Sequence, residues 1–493
     1  MDTGLAAATG ASAVTASVAS GTITVANPLA DHHHDVQRAL DMVRRTSCRS
    51  PGDTRFSPGF DLPPLTPELR LFLGASELAF APVPDYRGRR LTLLDLMRNR
   101  RTRTTKTFAS LVIVARAVRH IQRTGEPVML LTPSSANKGT ALRDAVLRAL
   151  EAGLVGPQDL NVAVLVPAAS RAKLWSSPLS VDPDLRQRNP VVVHPGDDPS
   201  AVKTLSRQVL DSCAPALRAL SGTNLWYTLD LDNYMAADAL RAFVEAEHLP
   251  PPGATGRLHV HAVSSAYGLL GHNLGHTLMA ADRPTPATRY FLVQHLDTPD
   301  MVLSLYTGST SRDRIPAYTY DRRAGLHRQS ASPHFPATTL DPAEVLDRTF
   351  YTRRPSTAEA MSSLIRSRGG GGIVVSLHEC LLRYAEVRAL LAEAEVRLPA
   401  DPRRLREWAL VMAMTGLLNA IDRDLVAEGD DIIVHGSGCY ADGDFDPIPG
   451  QHLHTDGDGA VLRRVICDAA LSPVTPRVSS RKGGPMARIA TAV

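Results

Sequence analysis

The sequence predicts an α/β protein with two domains, each containing a parallel-type sheet flanked by helices. Short β-branched runs alternate with helical stretches along most of the chain, a pattern typical of parallel α/β layers. The 493 residues exceed what one ordinary hydrophobic core contains, so two packed domains are expected. Strands are predicted at residues 128–132, 161–167, 191–194, 257–263, 291–295, 373–377 and 431–434. Helices are predicted at residues 140–153, 201–212, 380–394 and 403–427.

The two ends of the chain are expected to contribute little to the fold. Residues 1–55 are predicted to form a flexible extension that contains a short amphipathic helix near residues 31–45. Residues 461–493 are predicted to form a tail, loose from Ser472 onward, because that stretch contains arginine, proline, serine and glycine. The four consecutive glycines at residues 369–372 are interpreted as a linker.

Composition argues against several classes of protein. The five cysteines are far apart, form no CxxC pair and are odd in number, which disfavours a disulfide scaffold or a zinc module. The chain opens without a basic segment and an apolar core, and it has no run of eighteen apolar residues. We therefore expect a cytoplasmic protein with no membrane partner. We also expect no metal site, because the loop at residues 452–458 lacks a complete ligand set.

The net charge of +4 does not require a nucleic-acid partner, because the basic residues are scattered along the chain. The basic run at residues 98–103 keeps binding to a nucleic acid or an anionic surface open as an alternative. This run lacks interleaved aromatic residues and precedes a predicted core helix, so we expect no nucleic-acid partner.

Lysine is scarce in this chain. Of the 54 basic residues, only five are lysines: Lys106, Lys138, Lys173, Lys203 and Lys482. A lysine amine can lose its proton and form an imine, which a guanidinium group cannot do, so each lysine is a candidate for chemistry. Codon bias explains the scarcity equally well.

The first segment that could carry chemistry surrounds Lys106. The sequence Arg-Thr-Thr-Lys-Thr-Phe-Ala-Ser at residues 103–110 leads into an apolar-periodic helix at residues 111–122, which places Lys106 near a helix N-terminus. The partial positive charge of a helix start lowers the pKa of an amine, and burial has the same effect. Both effects help a lysine to act as a nucleophile and a base. An ordinary surface lysine is the alternative.

Two further segments consist of a strand, a small polar turn and a helix start. In residues 132–142 the backbone N–H groups and hydroxyls of the turn could bind a carboxylate, although a simple turn with a helix cap is the alternative. In residues 261–271 the hydroxyls of Ser264 and Ser265, with the amides up to Gly268, form a candidate phosphate cradle.

A fourth segment ends in a serine between two glycines. Residues 432–440 form a predicted buried strand that leads to Ser437, which lies between Gly436 and Gly438. A small hydroxyl at a strand end can face a heteroaromatic nitrogen.

These four segments, in this order, resemble the landmarks of the fold-type II pyridoxal 5'-phosphate (PLP) enzymes, the threonine synthase and cysteine synthase superfamily. The likeness covers roughly residues 90–445. It implies that Lys106 is the catalytic residue and carries PLP as a Schiff base. It also implies that Asn137 binds the 3'-oxygen of the PLP ring, and that Ser437 meets the pyridine nitrogen. The implied phosphate loop consists of Ser264, Ser265, Ala266, Tyr267 and Gly268, and the implied substrate-binding residues are Ser134, Ser135 and Lys138.

The resemblance also implies an architecture and an activity. Residues 56–110 and 215–460 would form a large cofactor-binding domain, and residues 111–214 a small α/β domain. The activity would be that of an amino-acid lyase or transferase in specialised biosynthesis, which eliminates or replaces a β or γ substituent through an external aldimine. A serine facing the ring nitrogen favours these reactions over transamination. Lys138 would hold an anionic leaving group or, alternatively, would be a surface charge. A homodimer is expected.

The sequence departs from the family pattern at two of its landmarks. The candidate phosphate loop contains one glycine within residues 264–268, and Arg103, Thr104 and Thr105 precede the lysine. These departures leave the substrate open. They also permit a member that has lost catalysis and serves as a binding or scaffold protein.

Overall fold

The computed structural model describes residues 14–16, 21–46 and 55–472, apart from residues 230, 254–255, 284, 286, 351 and 456. The strands are β1 (Val14–Ala16), β2 (Ile23–Val25), β3 (Leu78–Tyr86), β4 (Arg89–Asp95), β5 (Val128–Pro133), β6 (Leu160–Pro167), β7 (Val191–His194), β8 (Asn224–Tyr227), β9 (Arg257–Ala262), β10 (Thr288–His295), β11 (Thr319–Asp321), β12 (Leu326–Arg328), β13 (Thr338–Thr339), β14 (Gly370–Val375), β15 (Leu405–Glu407), β16 (Asp431–Gly436) and β17 (Tyr440–Ala441). The helices are α1 (Pro28–Asp31), α2 (His33–Thr46), α3 (Pro67–Leu73), α4 (Lys106–Thr124), α5 (Asn137–Glu151), α6 (Pro178–Val181), α7 (Pro183–Arg188), α8 (Ala201–Ser221), α9 (Leu231–Asp238), α10 (Leu240–His248), α11 (Tyr267–Ala280), α12 (Asp300–Thr307), α13 (Ala358–Arg368), α14 (Leu377–Glu393), α15 (Ala409–Asp422) and α16 (Gly459–Leu471).

The smaller of the two main sheets is parallel throughout. Its four strands lie in the order β7-β6-β5-β8. Successive side chains of β5 enter different cores, because Leu130 belongs to the core shared with α4 and α5, whereas Leu131 belongs to the core shared with α8 and α16. Burial on both faces explains why these strands read as nearly continuous apolar runs in the sequence.

The larger sheet is mixed. Its eight strands lie in the order β1-β2-β3-β4-β16-β9-β10-β14, antiparallel from β1 to β4 and parallel from β4 to β14. On one face Val293 and Ile373 pack with α14 and α15, and on the other Leu292 and Val374 pack with α11, α12 and α13. The predicted α/β class, with sheets flanked by helices, is confirmed.

The prediction of a flexible extension over residues 1–55 is wrong for residues 21–46. Strand β2 pairs with β3 and so extends the larger sheet, and α2 buries Val36 and Leu40 against the core. The amphipathic helix predicted at residues 31–45 is therefore confirmed, but its apolar face docks on the protein. Residues 1–13, 17–20 and 47–54 lie outside the described residues.

Three further expectations need correction. Residues 461–471 are not a tail, because they belong to α16, which packs on α8 through Leu462 and Ile466. The glycines at 370–372 are not a linker, because they open the edge strand β14. The helix predicted at 403–427 starts late, because residues 405–407 alternate between buried and exposed and pair with β17. Residues 473–493 lie outside the described residues.

The domain boundaries stay a prediction. Strand β8 belongs to the smaller sheet, so this sheet extends beyond residue 214, the limit expected for the small domain. Among the described helices, none is long and apolar enough to cross a bilayer.

Candidate active site

A cavity of about 200 Å³ lies where the carboxyl ends of β5, β9 and β16 meet the first turns of α4, α5 and α11. This is the position at which α/β sheets commonly bind ligands. All the site residues predicted from the sequence line this cavity: Lys106, Ser134, Ser135, Asn137, Lys138, Ser264, Ser265, Ala266, Tyr267, Gly268 and Ser437. Four segments that are far apart in the chain are thus brought together.

Lys106 is the first residue of α4, so it lies at a helix N-terminus as expected, although the helix begins five residues before the predicted start at residue 111. The residues before it are tied to the Ser437 turn, because the Thr105 N–H donates to the Ser437 carbonyl at 2.9 Å. Burial lowers the pKa of the Lys106 amine, and the nearby Arg241 guanidinium lowers it further, while Asp238 acts in the opposite direction. A lowered pKa increases the fraction of neutral amine, which is the nucleophilic form.

Three of the four lysines in the described part of the chain line this cavity, and the fourth contacts a residue of its wall. Lys106, Lys138 and Lys203 line it, and Lys173 lies behind its wall, where Nζ is 3.2 Å from Oε2 of the cavity-lining Glu407. Codon bias accounts for how few lysines there are but not for this shared location. Lys482 lies outside the described residues.

Lys138 is not a surface charge, so that alternative is wrong. The residue is only 7% exposed, its Nζ donates to the Thr228 carbonyl at 3.2 Å, and Nζ lies 5.3 Å from the ring centroid of Tyr234. A buried ammonium that lines a cavity strengthens the attraction of that cavity for anions.

The loop before α5 is held by its own serine. The Ser134 Oγ accepts hydrogen bonds from the backbone N–H groups of Ala136 at 3.1 Å and Gly139 at 2.7 Å. Ala136 has a φ of 101°, a conformation that non-glycine residues rarely adopt. The Ser134 oxygen therefore shapes the turn, while Ser135 is partly exposed to the cavity.

Asn137 is fixed by two side chains from the other side of the cavity. Its Nδ2 donates to the Glu407 Oε2 at 2.6 Å, and its Oδ1 accepts from the Tyr440 hydroxyl at 2.6 Å. The amide nitrogen carries a second hydrogen, which a ligand oxygen in the cavity can accept. Burial raises the pKa of Glu407, whereas the Lys173 ammonium lowers it.

The loop before α11 is held by a residue from a distant part of the chain. Ala266 has a φ of 51°, and the Ser265 carbonyl accepts from the Thr357 hydroxyl at 2.5 Å. Gly268 lets the Arg241 guanidinium lie close to the backbone of this loop, because a Cβ atom at this position would be only 2.7 Å from Nη1 of Arg241. The single glycine of this loop therefore makes room for a guanidinium group at the start of the helix.

The buried guanidinium of Arg241 is suited to binding an anion at this loop. Its guanidinium donates to the Thr105 Oγ1 at 2.9 Å, to the Asp238 Oδ1 at 2.6 Å and to the His435 Nδ1 at 3.0 Å. The residue is 2% exposed, and its Nε makes no hydrogen bond with the described residues. A buried donor left over beside a helix N-terminus suits a phosphate group.

His261 supplies a second polar atom without a partner. Its Nδ1 lies 2.7 Å from the Ala262 carbonyl oxygen, so Nδ1 carries the proton. Burial lowers the pKa of His261 well below its ordinary value, and Arg241 adds to this effect. The buried Nε2 is then an acceptor that makes no hydrogen bond with the described residues. The cavity thus offers an amine, hydroxyls and unused polar atoms, which fit a phosphorylated aromatic aldehyde such as PLP.

Sequence reasoning assigned no role to Arg241, Glu407 or His261, and it singled out Lys173 only as one of five rare lysines. His261 could have been found by its place at the end of a predicted strand. Arg241 and Glu407 carried no such signal, because each belongs to a segment without a recognised motif.

The basic run at residues 98–103 is paired with carboxylates. Arg98 Nε lies 2.5 Å from Glu77, Arg101 Nη1 2.9 Å from Glu151, and Arg103 Nη1 3.1 Å from Asp444. Its charges are largely balanced within the chain, which weakens the alternative of nucleic-acid binding.

A family model described as "Family of unknown function (DUF6002)" matches residues 24–470. The chain belongs to this family. No curated protein sequence matches the chain.

Three solved enzyme structures are similar to the chain at low sequence identity. A PLP-bound threonine synthase from Brucella melitensis is 12% identical with a TM-score of 0.44, and the match covers 80% of this chain and 74% of that one. An L-serine ammonia-lyase from Rhizomucor miehei is 12% identical with a TM-score of 0.41, covering 71% and 89%. Threonine deaminase isoform 2 from Solanum lycopersicum is 12% identical with a TM-score of 0.42, covering 72% and 76%. At TM-scores below 0.5 these likenesses carry no inference about function, which must rest on the cavity itself.

Proposed function

We propose that this chain is a PLP-dependent amino-acid lyase or transferase that eliminates or replaces a β or γ substituent. The observation that carries the proposal is the convergence of Lys106, the Asn137 loop, the Ser264 loop and Ser437 on one cavity. PLP, when bound, supplies an electron sink for negative charge that develops at the substrate α-carbon.

The phosphate end of the cofactor is assigned to the N-terminus of α11. There Ser264 and Ser265 present hydroxyls to the cavity, and Arg241 adds a buried positive charge with an unused Nε. Ser437, at the end of β16, would hydrogen-bond the ring nitrogen, and the second hydrogen of the Asn137 amide would bind the ring oxygen. The neutral Lys106 amine would hold the aldehyde carbon.

The substrate end is assigned to the N-terminus of α5. Ser135 and the backbone N–H groups of this turn would bind the α-carboxylate, and the Lys138 ammonium would attract an anionic leaving group. Lys106 would also remove and return the proton at the substrate α-carbon, because a lowered pKa increases the fraction of its amine in the neutral form, which accepts a proton. A cytoplasmic homodimer is part of the same proposal.

The test is the visible spectrum of the purified chain during titration with PLP. We expect the wild-type protein to show the absorption band of a lysine-bound PLP imine, and the Lys106→Ala variant to lose it. Lys203→Ala is the matched control, because Lys203 lines the same cavity and should leave the band intact. A band that persists in Lys106→Ala, or a wild-type chain that binds no PLP, would overturn the proposal. A wild-type band without turnover of any β- or γ-substituted amino acid would indicate the scaffold alternative.

A further inference from the structure

A second cluster of ionisable side chains lies in the core, outside the cavity. Glu245 from α10, His259 from β9 and His272 from α11 each direct one possible ligand atom to a common point, and these atoms lie within 4.8 Å of one another. The Glu245 Oε2 is 3.0 Å from the His272 Nε2 and 3.7 Å from the His259 Nε2. All three residues are buried.

The cluster contains ring nitrogens that the fold does not use. The His259 Nε2 is buried and makes no hydrogen bond with the described residues, and neither ring nitrogen of His276 makes one. His276 is 7% exposed and stacks edge-on against His272, with ring centroids 4.6 Å apart. Leaving three imidazole nitrogens unsatisfied in a protein core is costly, which indicates a missing partner.

In each of the three side chains, the polar atom that faces away from the proposed metal position makes a hydrogen bond to a neighbouring residue. The Glu245 Oε1 accepts from the Arg257 guanidinium at 2.9 Å, so Oε2 is left facing the imidazoles. The His272 Nδ1 lies 3.1 Å from the Tyr290 hydroxyl, and the His259 Nδ1 lies 3.1 Å from the His435 Nε2. A hydrogen bond at the second ring nitrogen fixes the orientation of each of these two rings.

We propose that Glu245, His259 and His272 bind a divalent transition-metal ion of the class of Zn²⁺. The ring of His276, whose centroid lies 4.6 Å from that of His272, would supply the fourth ligand after a rotation of its side chain. Zinc binds imidazole nitrogen and carboxylate oxygen at about 2.0 Å in a tetrahedron, whose ligand atoms are then about 3.3 Å apart. The two distances from the Glu245 Oε2 lie on either side of that value. The i, i+4 spacing of His272 and His276 puts both rings on one face of α11.

The four side chains close the site from solvent, which is typical of a structural rather than a catalytic metal ion. The metal ion would tie α10, α11 and β9 together beneath the cavity. One chain of contacts leads from it to the proposed phosphate site, through His259 and His435 to Arg241. Because the guanidinium can only donate, the His435 Nδ1 accepts from it, the His435 Nε2 donates to His259, and the His259 Nε2 carries a proton. Metal binding at the His259 Nε2 therefore releases this proton to solvent, and the negative charge left on the hydrogen-bonded His259 and His435 rings lies next to the Arg241 guanidinium.

The proposal stands independently of the PLP proposal, and its readout is metal content. The full chain, purified without a polyhistidine tag and dialysed against a weak chelator, should retain about one equivalent of metal by mass spectrometry. X-ray absorption of the zinc-loaded protein should show nitrogen and oxygen ligands at about 2.0 Å and no sulfur. A chain that holds no stoichiometric metal as purified and none after incubation with ZnCl₂, or one whose zinc is bound by sulfur, would overturn the proposal.

His276→Gln tests the fourth ligand, because neither nitrogen of this ring supports the fold through a hydrogen bond with the described residues. We expect zinc affinity, measured by competition with a fluorescent chelator, to fall about tenfold or more, the scale found even for outer partners of metal ligands. His295→Gln is the matched control, since His295 is also buried but belongs to no candidate metal cluster among the described residues, and it should keep the wild-type affinity. Unchanged affinity in a folded His276→Gln variant would contradict the four-ligand site. If this variant fails to fold, the metal content and absorption spectrum of the wild-type chain decide the proposal.

Discussion

The loop before α5 and the loop before α11 have the same place in the fold but are stabilised differently. Each follows a parallel strand, starts a helix at the cavity and contains an alanine with positive φ, Ala136 in one and Ala266 in the other. The first loop is held by Ser134, three residues before the helix starts, whereas the second is held by the distant Thr357 and lies against Arg241. A loop that stabilises itself leaves a motif in the sequence, and a loop that is stabilised from elsewhere does not.

The largest effect is expected from Arg241, whose guanidinium lies against Gly268 of the second loop. Replacing it by methionine, Arg241→Met, removes the buried charge that we assign to the phosphate. The loss of a charged hydrogen bond is worth about 2 to 3 kcal/mol, so PLP affinity should fall about 30-fold to 150-fold. Fluorescence titration with PLP and with pyridoxal measures this effect, because only the affinity for the phosphorylated form should fall.

Arg143→Met is the control for this prediction. Arg143 is equally buried and donates to the Asn189 carbonyl, but it does not line the cavity. An Arg241→Met variant that keeps the wild-type preference for PLP over pyridoxal would contradict the proposal that Arg241 binds the phosphate. The difference between the two loops would then be only structural.

A smaller effect is expected from Ser134, which stabilises the first loop from within. Ser134→Ala leaves the backbone N–H groups of Ala136 and Gly139 without their acceptor, at a cost of about 1 to 3 kcal/mol in the free energy of unfolding. Urea denaturation monitored by circular dichroism measures it. Ser135→Ala should cost less than about 0.5 kcal/mol, as expected for a side chain away from such features. Equal losses in the two variants would show that the loop does not depend on Ser134.

The smallest effect is expected from relieving strain at the alanine of the first loop. Ala136→Gly should raise the free energy of unfolding by about 1 kcal/mol, because glycine adopts positive φ without the steric cost that a Cβ imposes. Ala145→Gly, within α5, should instead lower it by about 1 kcal/mol. Thermal and urea unfolding of both variants check the sign, and destabilisation by Ala136→Gly would show that the backbone at Ala136 is not strained.

The sequence predicted the parts of the fold and site that depend on local order. Strands such as β5 and β6 are buried on both faces, so their apolar runs were recognisable, and Lys106 was placed at a helix start by the periodicity that follows it. The polar turns at Ser134 and Ser264 were found because each directly follows a strand.

The parts that were missed depend on contacts between distant segments. Residues 21–46 read as an extension because nothing local shows that β2 pairs with β3. Glu407 read as part of a helix, since its strand is short and exists only by pairing with β17. The histidine cluster draws on three elements, and only the spacing of His272 and His276 is visible along the chain. Local sequence patterns predict local structure, but they do not predict which residues from distant segments contact each other in the core.

The most direct measurement is borohydride reduction of the PLP-treated protein followed by mass mapping of the adduct. The account predicts one phosphopyridoxyl group per chain, on the peptide that contains Lys106, although Lys138 and Lys203 line the same cavity. A principal adduct on either of those lysines, or no adduct at all, would contradict it.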